Sequence, residues 1–161
     1  MLRVLFVCTG NICRSPTAEA VFRKHVVDAG LGGKVEAASA GTHDYHVGAC
    51  PDARAIAAAA RRGYDLSALT ARQLRTSDFA RFDHLLAMDR GHLALLMRRS
   101  PVEYRDRIRL FLDHAPQQPH REVPDPYYGS GEDFELVLDL VEAASRGLLA
   151  HLAPQLKAPE R

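Results

Sequence analysis

Leu2-Arg3-Val4-Leu5-Phe6-Val7-Cys8-Thr9-Gly10-Asn11-Ile12-Cys13-Arg14-Ser15-Pro16 is the stretch on which the reading of this chain turns. Leu2 to Val7 is a short, nearly continuous apolar run, the pattern of a strand buried on both faces of a parallel sheet. Cys8 ends it. Ser15-Pro16 opens a helix with Pro at its first position, and Ala18, Phe22, Val26 and Ala29 recur at helical spacing until Gly30 supplies a stop. The loop between strand and helix therefore lies outside the carboxyl end of a strand, where open α/β sheets bind their ligands.

The alternation continues along the chain. Val35 to Ser39 reads as a second strand, followed by a long loop through Pro51 and an Ala-rich helix from about Asp52 to Arg62 that Gly63 stops. His84 to Met88 reads as a third strand, Arg90 to Arg99 as a helix ended by Ser100-Pro101, and Ile108 to Leu112 as a fourth strand. Residues 113–131 are rich in Pro and Gly and read as loop. Ser130, with Asp133 three residues on, marks the start of a helix reaching about Leu152, and residues 154–161 read as a loose tail. Strands alternating with helices predict one α/β domain over 1–161, an open four-stranded parallel sheet with helices on both faces and right-handed crossovers.

Length and composition agree with a single core. The chain has 161 residues, 47% hydrophobic and 25% charged, ordinary values for a folded soluble protein. Lys plus Arg is 21 against Asp plus Glu at 20, so the net charge of +1 supplies no field for capturing nucleic acid or an anionic membrane. Neither a secretory signal nor an apolar stretch of membrane-spanning length is present, and the expected location is the cytoplasm. Three cysteines in a chain of this size read as free thiols rather than a disulfide framework.

Unpaired N–H groups and the helix dipole make the start of a helix a seat for an anion, and phosphate fits the segment from Cys8 to Ser15. Gly10 and Asn11 are the residue types that tolerate left-handed backbone angles, which a loop needs if successive N–H groups are to turn inward. Cys8 then faces the phosphorus from beneath, where the positive helix end and a guanidinium favour the nucleophilic thiolate. Arg14, six residues after Cys8, offers a planar fork to two phosphoryl oxygens. Ser15 can give its hydroxyl to the sulfur or to the backbone as a cap. The loop has one Gly and no Lys-Ser or Lys-Thr pair, so it matches neither nucleotide-binding fingerprint.

At these residues the chain resembles the low-molecular-weight protein tyrosine phosphatases. The resemblance runs through Val7 to Pro16, Ser39-Ala40-Gly41-Thr42 and Asp125-Pro126-Tyr127-Tyr128. It implies a cofactor-free, metal-free, two-step reaction: Cys8 attacks in line, a cysteinyl phosphate forms, and water releases inorganic phosphate. Thr9, Gly10, Asn11, Ile12, Cys13 and Ser15 would complete the phosphate loop. A phenolate leaves faster if protonated as its bond breaks, and Asp125, held between two prolines in a long loop, would serve as acid and then as base for water. Tyr45 and Tyr127 would flank the substrate ring, and Cys13 would be either a small buried residue or a redox partner for Cys8. The implied partners are phosphotyrosine-containing proteins or peptides, with the enzyme a monomer or weak dimer. The chain departs from the family at Leu69, where many members carry a His that supports the loop Asn.

Other readings predict other residues. An arsenate reductase on this fold needs further cysteines after the third strand, and Leu85 to Pro101 contains none. Phosphoarginine-directed relatives tend to have Thr where this chain has Ile12. A silent phosphoprotein-binding module would keep Arg14 but could lose Cys8 or Asp125. His43, His46 and Cys50 suggest zinc only weakly, lacking a fourth ligand, and read as exposed loop residues.

Overall fold

In the structure, a computed structural model that describes residues 1–156, β1 (Leu2–Cys8) lies inside a four-stranded sheet of order β2-β1-β3-β4. β2 (Val35–Gly41) and β3 (His84–Ala87) flank it, β4 (Ile108–Leu110) lies beyond β3, and every pairing is parallel. The side chains of β1 alternate between two cores. Val4, Phe6 and Cys8 face one core, and Leu5 and Val7 face the other. Burial on both faces explains why the run is apolar at nearly every position.

On the first face pack α1 (Arg14–Asp28), α2 (Ala53–Ala60) and α5 (Gly131–Leu156), which contribute Phe22, Ala58 and Val141 among others. On the second lie α3 (Asp78–Arg81), supplying Phe79, and α4 (Arg90–Arg99), supplying Leu96. Phe6 meets Phe22 and Phe111 edge-on, with ring centroids 5.8 and 5.0 Å apart, contacts that add about 0.5–1.5 kcal/mol each beyond area burial. These rings fix the strand that ends at Cys8.

Several boundaries differ from the pattern in the sequence. α1 begins at Arg14, so Pro16 stands at its third position, still within the first turn where its missing N–H leaves no intrahelical bond unmade. β2 runs two residues further, to Gly41. β4 stops at Leu110 rather than Leu112, because Phe111–His114 coil into a 3-10 turn that buries Phe111 and Leu112. An apolar run does not by itself separate a strand from a buried turn. A second 3-10 segment, Val102–Arg107, and the short α3 carry too few residues to show a period. α5 continues through Pro154 to Leu156, whose carbonyl accepts from Lys34 Nζ at 2.9 Å, so residues 154–156 are helix and not tail. The rest of the expected tail, 157–161, lies outside the described residues.

Candidate active site

The loop after β1 turns its peptide groups in one direction. The carbonyls of Cys8, Thr9, Ile12 and Cys13 accept from the backbone N–H groups of Thr42, His43, Asp52 and Thr17. Among the described residues, the N–H groups of Thr9 to Arg14 have no partner within the protein. Carbonyls tied outward leave the N–H groups for an anion, in the arrangement called a nest.

Asn11 forms the corner, with φ of 58°, one of the few residue types that accept that angle. Its Nδ2 donates to Ser15 Oγ at 2.8 Å and Ser39 Oγ at 2.9 Å, and its Oδ1 accepts from the Arg72 N–H at 3.0 Å. Arg72 comes within reach because the chain beside it bridges to the end of β2, where Gly41 pairs with Gln73. Leu69, where many family members have a supporting His, packs instead against the apolar core. Ser39 and the Arg72 backbone hold Asn11 in its place. Ser39 in turn donates to buried Glu19 at 2.7 Å, whose carboxyl is pushed up by burial and drawn back by Ser39 and Arg23. Gly41 is required by the close approach of the loop, since a Cβ there would stand 2.6 Å from the Thr9 carbonyl oxygen.

Cys8 is 3% exposed, and its Sγ lies 2.9 Å from Ser15 Oγ. Because Asn11 donates to that hydroxyl, its own hydrogen is free to point at the sulfur. Cys13, at the N-cap of α1, makes no side-chain cap bond. Its thiol is pushed up to about 12 by burial and then by the nearby charges of Asp52, Cys8 and Asp125, so it stays protonated at neutral pH.

Arg14 is 4% exposed, a burial that a guanidinium tolerates only when paired. One terminal nitrogen donates to Asp89 Oδ2 at 2.9 Å and to the Val123 carbonyl at 3.1 Å, while the other lies 3.6 Å from Asp125 Oδ2. Asp89 caps α4 at the carboxyl end of β3. Burial pushes its carboxyl up, but the His92 N–H and the hydrogen bond and charge of Arg14 hold it below the usual carboxylate range. Val123 donates its N–H to the Met88 carbonyl at 2.8 Å, fastening the start of the Pro-rich loop beside the sheet. Asp125 is thereby delivered to the mouth of the site, its side chain half exposed, with Oδ1 accepting from the Tyr127 N–H at 3.1 Å.

Thr9, Gly10, Ile12 and Cys13 join Cys8 and Arg14 in lining a cavity of about 440 Å³, closed by Tyr45, His46, Asp125, Tyr127 and Tyr128. Asn11 and Ser15 lie beneath it, acting on the loop and not on its occupant. Tyr45 stacks on His43 with centroids 4.9 Å apart and planes 17° from parallel. Arg54 donates to the Tyr127 carbonyl at 2.8 Å and to Asp52, anchoring the acid-bearing loop to the start of α2. His46 is a half-buried part of this wall and His43, also half-buried, stacks on Tyr45, whereas the sequence suggested exposed loop residues; Cys50 is exposed. Among the described residues, no group of three or more His, Cys, Asp or Glu is placed to hold a metal ion. Asp89, His92, Arg54 and Glu19 were not legible as site residues, although an Asp capping a helix at a strand's carboxyl end was a signal for Asp89.

A family model described as low molecular weight phosphotyrosine protein phosphatase matches residues 3–158. A low molecular weight protein-tyrosine-phosphatase of Streptomyces coelicolor is 52% identical, over 96% of this chain and 96% of its own. The crystal structure of a protein tyrosine phosphatase from Entamoeba histolytica with Hepes in the active site superposes with a TM-score of 0.94 at 39% identity, over 96% of this chain and 99% of that one. YfkJ from Bacillus subtilis superposes with a TM-score of 0.91 at 37% identity, over 96% of both chains. Sequence, sheet order and the loop after β1 thus agree that this chain belongs to the low molecular weight phosphotyrosine protein phosphatases.

Proposed function

We propose that the chain removes phosphate from phosphotyrosine in proteins, with Cys8 as nucleophile, Arg14 as phosphate clamp and Asp125 as general acid and then general base. The observation that carries this reading is the loop after Cys8, whose carbonyls are bonded to neighbouring segments while its own N–H groups have no partner among the described residues. The N–H groups and the outer nitrogen of Arg14 take the three non-bridging oxygens, and Cys8 attacks the phosphorus opposite the leaving oxygen. The bond from phosphorus to the phenolic oxygen breaks as Asp125 hands that oxygen a proton. Water, losing its proton to Asp125, then attacks the cysteinyl phosphate, and the Ser15 hydroxyl receives the departing thiolate. Tyr45 and Tyr127 form aromatic walls for the substrate ring. The site is completed within one chain, consistent with a monomer, and three free cysteines suit the cytosol.

A turnover series with an aryl phosphate and with phosphotyrosine, phosphoserine and phosphoarginine peptides tests the reading. Phosphotyrosine should exceed phosphoserine in kcat/KM by roughly 10²-fold, because only an aryl group fills the walls. Ile12 on the cavity lining argues against the arginine-directed alternative, and faster hydrolysis of phosphoarginine would overturn the assignment.

Cys13 is proposed as the resolving thiol for oxidised Cys8. Peroxide converts the Cys8 thiolate to a sulfenic acid; Cys13 attacks its sulfur, a disulfide forms, and the hydroxyl leaves as water with the Cys13 proton. Wild type should regain activity with dithiothreitol after peroxide, while Cys13→Ser, active in reducing buffer, should recover poorly. A Cys8–Cys50 bond in mass spectra of the oxidised protein, or full recovery by Cys13→Ser, would end this proposal.

A further inference from the structure

The first turn of α4 touches the phosphate loop through a residue with no role in the reaction as described. His92 is 5% exposed and stands behind the loop, its Nε2 2.8 Å from the Thr9 hydroxyl oxygen. Its Nδ1 is buried 3.1 Å from Asp89 Oδ1 but lies outside hydrogen-bonding alignment, so it has no bonded partner among the described residues. Burial, and then the Arg14 charge, press the imidazole down to about 4, leaving it neutral under working conditions. A neutral ring carries one N–H. With a carboxylate oxygen beside Nδ1, the proton is held electrostatically on that nitrogen even without a well-formed bond, and Nε2 is left as an acceptor. Thr9 must then donate.

That direction matters for Thr9. Its hydroxyl has a single hydrogen, committed to His92 and therefore turned away from the phosphoryl oxygens. Its carbonyl is held by the His43 N–H at 3.1 Å, and its own N–H is one of the loop donors without a partner among the described residues. As a β-branched residue Thr9 has few side-chain rotamers, so fixing the hydroxyl fixes the side chain and restrains the peptide that follows the nucleophile. The same helical turn holds the far end of the loop, since Asp89 binds both Arg14 and the His92 N–H.

We infer that His92 is a positioning residue of the phosphate site: by accepting the Thr9 hydroxyl hydrogen it holds the first peptide after Cys8 in its anion-binding orientation. The inference rests on the proposed reading of the loop as a phosphate site. Its prediction concerns affinity for phosphate more than folding. His92→Phe keeps the ring volume and removes the acceptor, and should raise the inhibition constant for inorganic phosphate and lower kcat/KM by roughly tenfold each. Thr9→Val, which deletes only the donor, should do the same. The double variant should lose no more than either single one, because both remove one bond. His92→Gln, whose amide oxygen can occupy the region of Nε2, should recover most of the loss, while the shorter Asn should not.

Phosphate inhibition, with kcat/KM on an aryl phosphate, is measured for wild type and all five variants. A wild type that phosphate does not inhibit overturns the phosphate-site reading itself. A wild type that is inhibited, with His92→Phe or Thr9→Val unchanged, overturns only the role of His92, as does a double variant near a hundredfold or a Gln no better than Asn. If His92→Phe does not fold, Thr9→Val and the comparison of Gln with Asn decide the matter.

Discussion

Cys8→Ser leaves a protein that still binds phosphate or vanadate but has lost at least roughly 10⁴-fold in kcat, the scale of loss when a covalent nucleophile is removed. The substitution exchanges one atom in a site built by others. Inward N–H groups, the Arg14 fork and the Asn11 corner do not depend on the sulfur, so the anion site survives. The hydroxyl, unlike a thiolate, is protonated at neutral pH, and the side chain it would bond, Ser15, is itself a hydroxyl and not a base. Equilibrium binding of vanadate together with single-turnover kinetics separates the two properties. Residual turnover within about tenfold of wild type would mean that water is activated directly and that no cysteinyl phosphate forms.

Asp125→Asn should slow hydrolysis of substrates with poor leaving groups by roughly 10²–10⁴-fold, the usual contribution of a positioned general acid. Substrates whose phenols are strong acids should be slowed far less in the first step, because their oxygen departs without a proton. The slope of log kcat/KM against leaving-group acidity therefore steepens in the variant. Asp125 lies 3.6 Å from Arg14, close enough to reach an anion that the guanidinium would hold, and Asn keeps its size and its acceptor for the Tyr127 N–H. An equal loss across the series would instead assign Asp125 to holding the loop. The same measurement on a variant of Arg54, which ties the Tyr127 carbonyl to the start of α2, provides a reference for loop disorder without loss of the acid.

The strand, loop and helix at the N-terminus were legible because each follows from a local rule: a two-sided apolar run, residue types permitting a positive φ, and a period of helical spacing. Cys8 and Arg14 followed from their place in that unit. What surrounds them did not, because it is assembled from distant parts of the chain. Asp89 reads locally as a helix cap and becomes the partner of Arg14 only through the pairing of β1 with β3. His92 looks like an ordinary helix residue until α4 packs beside the loop. The support of Asn11 is a similar case: the local substitution at Leu69 hides an arrangement in which Ser39 and the Arg72 backbone do the holding. The end of β4 escaped for the opposite reason, since Phe111 and Leu112 are as apolar as a strand would be while serving a turn.

The unpaired N–H groups of the loop also bear on how the folded chain survives in solution. Among the described residues, the donors from Thr9 to Arg14 have no partner, and such groups are left to solvent or to an oxyanion. A ligand that binds the folded loop and not the unfolded chain adds RT ln(1 + [L]/Kd) to stability, about 2.7 kcal/mol at a hundred times Kd. Inorganic phosphate, the product, is expected to be such a ligand, and its addition should raise the melting temperature. On the proposed reading, the molecule that inhibits by occupying the site would also protect the fold from unfolding, so that turnover and thermal lifetime would be coupled through a single anion.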